Sequence, residues 1–393
     1  MKNVLIVCHD FTISGANMAL LDVLSNNTNK EYNYYVLLPR KSDILQKKIT
    51  ELGCNVIIGN YIVTTKHLYK DRLKEKIKQL IKYIIFKFIN PIQINRIVKK
   101  LNNINIDLIH SNSFAVTIGA EIAKKMNIPH IWHIREFMEE DHEIEHYNKE
   151  KLKGLVEYSN AIFISNAIKN KYMEKYKFKS LTILYDNLKY DSTYKKEREF
   201  LQNNQCNLII VGNLTENKGQ LIAIKALEYI NKKEISNNYK FILYICGQGP
   251  NEIKLKEYIK NRNIKNIIFK GYVEKMQKIR KNIDIALICS KKEAFGRVTV
   301  EAMYYENFAI GSNSGCTKEI LDEKYSDLYE EDNYIDLANK IIDAVNNKEE
   351  TIKKINNAKK IALQRYNRNI LKDIEILYKN VLESEKDNEG NRI

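Results

Sequence analysis

An α/β chain of two doubly wound domains is expected from three features of the sequence. Its 393 residues exceed one ordinary core and suit two domains of α/β size. Short apolar runs alternate with amphipathic stretches along most of the chain, as parallel βαβ units require. That alternation lapses once, over residues 189–205, and then resumes. With 44% hydrophobic and 29% charged residues, the composition is that of a globular chain rather than a disordered one.

In the first half, strands are expected over residues 3–8, 33–38, 56–58, 107–110, 130–134, 161–164 and 182–184, with helical patterns between them. In the second half they are expected over residues 206–211, 241–246, 267–270, 284–289 and 308–311, and from about Tyr334 the pattern is helical. The polar stretch 189–205, with its unbroken charged run at 195–199, reads as an interdomain linker. The last eleven residues, 383–393, are polar and are expected to fray. These readings give a first domain over residues 1–188, a linker over 189–205 and a second domain over 206–365. A terminal helix within 366–393 then packs back on the first domain. Such sheets bind ligands at the carboxyl ends of their strands, so residues just after the strands are the informative ones.

The 64 basic residues outnumber the 49 acidic ones and leave a formal net charge of +15. That surplus fits an anionic partner, or a solvated lysine-rich surface; only its placement separates the two. The cysteines, at 8, 54, 206, 246, 289 and 316, form no Cys-x-x-Cys pair, and four lie in or beside apolar runs. They read as small buried hydrophobes, without a disulfide framework or a zinc site. Met1-Lys2-Asn3 leads straight into an apolar run with no signal-peptide pattern, and no apolar stretch reaches membrane-spanning length. The expectation is a cytoplasmic protein, peripheral on the inner face of the membrane if it meets the membrane.

The segment Glu293-Ala-Phe-Gly-Arg-Val-Thr-Val-Glu301 carries the densest chemistry. It follows the apolar run 284–289 and opens a helical run at 298–305. Gly296 permits close backbone approach to a ligand, and the helix start offers amides and a positive dipole end to phosphate. Glu293 lies in the loop and Glu301 on the helix, so they can address two parts of one ligand. A carboxylate accepts two hydroxyl hydrogen bonds, which suits a sugar ring and a ribose diol. On spacing alone, a plain strand–helix loop with one surface and one helical glutamate is the simpler fit.

Ser290-Lys-Lys-Glu-Ala-Phe-Gly-Arg-Val-Thr-Val-Glu-Ala-Met303 resembles the E-x7-E motif of glycosyltransferase family 4. Val211-Gly-Asn-Leu-Thr-Glu-Asn-Lys-Gly219 resembles the family's first C-domain loop, with its Lys-Gly pair. Ile245-Cys-Gly-Gln-Gly-Pro250 resembles the second strand and its glycine turn. Gly271-Tyr-Val273 resembles the segment lining the base, and Gly315-Cys-Thr-Lys-Glu-Ile320 the loop after the motif helix. In the first half, Ser14-Gly15-Ala16, His110-Ser-Asn-Ser113, Trp132-His-Ile-Arg135 and Phe163-Ile-Ser-Asn166 resemble the family's strand ends more loosely.

The resemblance implies the GT-B architecture, two Rossmann-like domains facing across a cleft. The first would take the acceptor and the second the nucleotide-sugar donor. It implies retaining, metal-independent transfer from a nucleotide-diphosphate sugar, most simply a UDP-sugar, to a hydroxyl of a glycan or lipid-linked acceptor. The setting it implies is the synthesis of cell-surface polysaccharide. The nucleotide sugar is a substrate, and neither cofactor nor metal is implied. Glu293, His133 and Lys218 would form the catalytic set. Gly15, Gly212, Asn213, Lys218, Gly247, Tyr272, Val273, Glu293, Ala294, Phe295, Gly296, Arg297 and Glu301 would line the donor. His110, His130 and His9 are left to packing. Two positions depart from the family pattern. Asn213 stands where an arginine often contacts the diphosphate, and Tyr185-Asp186-Asn187 stands where Asn-Gly is commoner. A catalytically silent nucleotide-sugar-binding subunit is one alternative, and a basic nucleic-acid-binding protein another. No aromatic-interleaved basic strand supports the latter, and nucleic acid is not expected as a partner.

Residues 66–100 hold eleven of the basic residues and two acids. Leu73, Ile77, Leu80, Ile81, Ile84, Ile85 and Phe88 recur there at helical spacing between lysines. This basic amphipathic helix suits an anionic leaflet; it equally suits packing on the first domain with its lysines in water.

Overall fold

The computed structural model describes residues 1–27, 31–68 and 73–390. The chain divides into two compact units, Met1–Asn187 with Asn369–Ile393, and Leu188–Arg368.

In the first unit, β1 (Lys2–Val7), β2 (Tyr32–Leu38) and β3 (Asn55–Ile58) build one half of a parallel sheet. β4 (Thr65–His67) and β7 (Ile144–His146) pair antiparallel outside it. β5 (Leu108–Ser111), β6 (His130–Ile134), β8 (Asn160–Phe163) and β9 (Leu181–Ile183) build the other half. The seven-stranded order is β3-β2-β1-β5-β6-β8-β9. The order in which successive strands are added reverses between β1 and β5, which pair in parallel, so the loops leaving those two strands part and open a crevice. Helices cover both faces, which is why β5, β6 and β8 are apolar or buried throughout. The period of two sorts β1 between two cores: Val4 and Ile6 pack on one side, Leu5 and Val7 on the other.

The terminal helix Ile370–Gly390 joins this unit, placing Ile370, Leu371, Ile374, Tyr378 and Val381 in the Val4–Ile6 core. The tail expected to fray from Glu383 stays helical through Gly390; residues 391–393 lie outside the described residues. Val381 is the last of these core residues.

The second unit carries β10 (Gln205–Val211), β11 (Lys240–Cys246), β12 (Ile267–Gly271), β13 (Ile285–Ile288), β14 (Phe308–Ser312) and β15 (Asp327–Tyr329), all parallel. Their order, β12-β11-β10-β13-β14-β15, reverses between β10 and β13. β15, three residues long, gave no sequence signal of its own.

The stretch read as a linker packs into this second unit. Tyr194, Phe200 and Leu201 are buried, and the latter two share the core of β10. Its charged run is also turned inward at alternate positions. Lys196 Nζ donates to the carbonyls of Ile283 and Glu306, the latter at 2.9 Å, and Arg198 Nε lies 3.3 Å from Asp284. Burial lowers the Lys196 ammonium to about 8. Asp284 also accepts from the amides of Leu201 and Asn207, so this acid at the start of β13 ties the segment down. A run of charges looks solvated in sequence; here a buried acid made it structural.

All six cysteines are buried, and none is in a disulfide.

Candidate functional site

The two expected groups of site residues fall at the two strand-order reversals, one in each unit. In the second unit the loop after β10 and the loop after β13 meet. Gly219 lies against β13 so closely that a Cβ would come within 2.2 Å of the Cys289 carbonyl oxygen, and the Lys291 amide donates to Asn217 at 3.0 Å. Lys218 Nζ therefore reaches Glu293, 3.0 Å from Oε2 and 3.3 Å from Oε1. Both side chains remain partly open to solvent. The Lys218 stem also lies beside Gly212, about which the chain turns at φ 151°. A Cβ on Gly247 would stand 1.9 Å from the Gly212 carbonyl, so glycine is required where β10 and β11 end together.

Glu293 is held from its far side by the loop after β14. The Cys316 amide donates to its carbonyl at 2.8 Å, and a Cβ on Gly315 would meet its backbone at 2.6 Å. Gly296, at φ 87°, caps the helix Arg297–Tyr304. The Thr299 amide donates to the Gly296 carbonyl at 2.9 Å, and the helix starts, with its positive dipole end, four residues after Glu293. Arg297 and Ala294 are half-buried at the same turn. Phe295 contributes backbone only, because its ring is buried edge-on to Tyr366. Asn213 and Tyr272 are exposed, and Val273 is half-buried. The Asn213 carbonyl accepts from Gln220.

Glu301 has a partner that sequence reasoning missed. Arg280 is fully buried, and its NH2 donates to Glu301 Oε2 at 3.2 Å and to the Val298 carbonyl, while NH1 donates to Asn307. The Glu301 carboxylate keeps about a quarter of its side-chain surface open, at 27%. The sole hint in sequence is an arginine just ahead of the apolar run at 284–289, and its direction is set only by the fold.

In the first unit Gly15 is exposed at the start of the helix Gly15–Leu24, with Ser14 as its cap. No intramolecular contact within 4 Å explains a glycine there. Asn112, just after β5, donates to the Ala16 carbonyl at 3.0 Å and accepts from Arg135 Nε at 2.9 Å. It thereby ties the Gly15 turn to the end of β6. Arg135 also forms a buried ion pair with Asp186, which accounts for the departure seen in Tyr185-Asp186-Asn187.

His133 stands inside this network. Arg135 NH2 donates to His133 Nδ1 at 3.2 Å, so Nδ1 is an acceptor and carries no proton. The His110 Nε2–H can then donate to the same nitrogen, also at 3.2 Å, while His110 Nδ1 accepts from the Tyr378 hydroxyl. This leaves the His133 proton on Nε2, which is buried and has no protein partner. Burial first, then the charge of Arg135, holds His133 well below the usual imidazole range, and the same causes lower His110 to about 3. His133 is thus a neutral hydrogen-bond donor. Arg135 fixes its tautomer, and His110, left to packing by sequence, is a second neighbour of the same nitrogen. His130 packs between Ser111 and Ser159. Among the described residues no cluster of metal-ligating side chains occurs.

Comparison with known proteins gives these two sites a setting. Residues 191–361 match the family model of glycosyl transferases group 1. The chain is 29% identical over 177 residues to an α-1,4-N-acetyl-D-galactosaminyltransferase of Campylobacter jejuni that acts on an undecaprenol-diphosphate-linked glycan. That match covers 44% of this chain and 46% of the relative, about half its length. An uncharacterised glycosyltransferase of Methanocaldococcus jannaschii is 26% identical over 328 residues, 78% of this chain and 83% of its own. Among solved structures, Anabaena HepE in complex with UDP superposes with a TM-score of 0.74 at 17% identity, covering 98% of this chain and 100% of its own. The fold is GT-B, the two-domain architecture of glycosyltransferases.

Proposed function

We propose that this protein is a retaining glycosyltransferase that moves a sugar from a UDP-sugar to a hydroxyl of a glycan or lipid-linked acceptor in cell-surface polysaccharide synthesis, without a metal ion. The observation that carries the reading is the Lys218–Glu293 pair, held at the β10–β13 reversal beside the N-terminus of the Arg297–Tyr304 helix. A cation and a helix start at one strand-order reversal suit a diphosphate. A carboxylate beside them suits sugar hydroxyls.

In this mechanism Lys218, Arg297 and the helix amides hold the charge that develops on the leaving diphosphate. Donor binding exchanges the Lys218–Glu293 contact for contacts with the ligand: Lys218 turns to phosphate, and Glu293 to sugar hydroxyls. Glu301 accepts the ribose diol with the oxygen that Arg280 leaves open, and Tyr272-Val273 line the base. The neutral Nε2–H of His133 donates to the transferred sugar. The sequence has no Asp-x-Asp pair to carry a diphosphate-bound metal, so fixed cations take that role. The departing phosphate deprotonates the acceptor on the face it leaves, and configuration is retained. The UDP of the HepE complex and the lipid-linked glycan of the Campylobacter relative support the choice of donor and acceptor classes.

The test is calorimetric and chemical. UDP at 100 times its Kd should stabilise the protein by about 2.7 kcal/mol. Transfer from a UDP-sugar should continue in EDTA and give a product with the donor's anomeric configuration, read by NMR. Loss of transfer in EDTA, restored by manganese, would overturn the metal-free mechanism. UDP binding with no turnover on any hexose donor would instead mark a silent binding subunit.

A further inference from the structure

We propose that Tyr378, on the helix Ile370–Gly390, is a positioning residue for His133 that acts through His110. This deepens the reading above, in which His133 donates to the transferred sugar, and rests on it. Ile370, Ile374, Tyr378 and Val381 recur at helical spacing, and all are buried in the Val4–Ile6 core. The stripe is aliphatic except at Tyr378, which is 1% exposed. Its hydroxyl is thus carried into an apolar interior, where it needs a partner. The helix is pinned one turn earlier. The Tyr34 hydroxyl donates to Glu375 Oε1 at 2.8 Å, and the Tyr32 hydroxyl donates to the Glu375 carbonyl at 3.2 Å. The Tyr378 ring stands edge-on to Tyr32 and to His110, with centroids 5.7 Å apart in both cases.

The period of two along β5 and β6 puts both histidines on the face that this helix covers. Leu108 and Ile131 share its core, so His110 and His133, two residues further along their strands, face the helix as well. The Tyr378 hydroxyl lies 2.5 Å from His110 Nδ1, and His110 Nε2 lies 3.2 Å from His133 Nδ1. The order of protons follows from the far end. The Arg135 guanidinium can only donate, so His133 Nδ1 presents a lone pair. A His110 protonated on Nδ1 would set a second lone pair against it. His110 is therefore protonated on Nε2, and Tyr378 donates to its Nδ1. Burial holds the Tyr378 phenol well above its usual range, so that proton stays on oxygen.

The donors then point one way, from the Tyr378 hydroxyl through His110 to the Nε2–H of His133, which is buried without a protein partner. Hydrogen bonds in such a chain polarise one another, so a donation into one edge of a ring makes the N–H on its other edge a better donor. Tyr378 fixes the His110 ring and, through it, strengthens the donor that His133 offers. An aliphatic residue would continue the stripe and fill the core; the hydroxyl alone serves the histidines.

The experiment compares wild type, Tyr378→Phe, His110→Phe and the double variant as full chains. Turnover is read as UDP release from whichever of UDP-glucose, UDP-galactose and their N-acetylamino counterparts wild type uses fastest, and the histidine rings are read by nitrogen-15 NMR. Tyr378→Phe keeps the ring and its packing. Its kcat should fall about tenfold, the scale of one hydrogen bond, with UDP affinity unchanged, because the proposed UDP contacts lie in the second unit. In the His110→Phe background the same change should cost less than about twofold, because the route is already cut. An unprotonated ring nitrogen moves upfield when it accepts a hydrogen bond. The His110 Nδ1 signal should therefore move downfield in Tyr378→Phe, and the His133 ring signals should shift with it. Equal kcat in wild type and Tyr378→Phe, an additive loss in the double variant, or unmoved ring signals would each overturn the proposal. So would UDP binding lost in step with kcat, which marks a merely structural tyrosine. If wild type turns over no UDP-sugar, the function proposed above fails, and the ring signals alone decide whether Tyr378 positions His133.

Discussion

Glu293 and Lys218 neutralise each other before any donor arrives, and that contact sets what each substitution should do. Glu293→Gln keeps the side-chain shape but loses the charge that, on the proposed function, would grip the sugar hydroxyls. Transfer should fall by at least about 100-fold, the scale of one lost transition-state contact, while UDP still binds, as titration calorimetry would register. Removing the carboxylate also releases Lys218 to the diphosphate, so UDP affinity should hold or rise. Arg280 acts one step back, as a positioning residue for Glu301. Arg280→Met leaves the carboxylate without its cation and with freedom to turn. Donor KM should rise about tenfold, a loss of about 1.4 kcal/mol, with a much smaller change in kcat. Stability should fall by about 2–3 kcal/mol, below the cost of breaking a fully buried pair because Glu301 is partly in water. A kcat defect at unchanged KM would exclude the positioning role.

At the scale of elements, the second site rests on three strand ends that approach at backbone distance. Gly247 is the tightest, at φ 138° and with the Gly212 carbonyl where its Cβ would sit. Gly247→Ala should cost about 2–4 kcal/mol through strain and displacement of the β10 turn. A urea unfolding midpoint would measure it, and donor affinity should fall in parallel because the Gly212–Lys218 loop moves. Gly15→Ala is the matched control. Its Cβ would enter open space, so stability should be unchanged within about 0.5 kcal/mol. The strand runs and the E-x7-E helix were readable in advance because their apolar periods are local. The short strands β4, β7 and β15 were not, since three residues carry too little period to distinguish a strand from a loop.

For the molecule as a whole, buried neutral histidines make stability depend on pH. Burial lowers His110 and His130 to about 3 in the folded state, against an ordinary 6.5. Below that ordinary value the unfolded chain takes up protons that the folded chain refuses. The contribution is therefore complete above about pH 6.5 and is lost progressively as the pH falls towards 3. At pH 5 each site should have lost about 2 kcal/mol, so together up to about 4 kcal/mol relative to pH 7. Thermal melting at pH 7 and 5 would record it, and His130→Gln should shrink the difference. Equal melting temperatures at both values would exclude the buried neutral state.

The sequence by itself determined the alternation of strands and helices, the two-sheet plan, and the segments that hold Lys218, Glu293 and Gly296 after strands, Glu301 on a helix and His133 near a strand end. Each of these is a statement about neighbours along the chain: an apolar run, then a glycine or a charge at its end. Tertiary structure decided what depends on distant residues. It turned Lys196 and Arg198 of the charged run inward, the latter onto Asp284, gave Glu301 its buried Arg280, and fixed the His133 proton on Nε2 through Arg135. It also decided that the basic helix seats itself by Tyr83, Phe86 and Asn90 and leaves its isoleucines outward. A period of 3.6 marks that a helix has an apolar stripe; only the position of the neighbouring elements tells which stripe they cover.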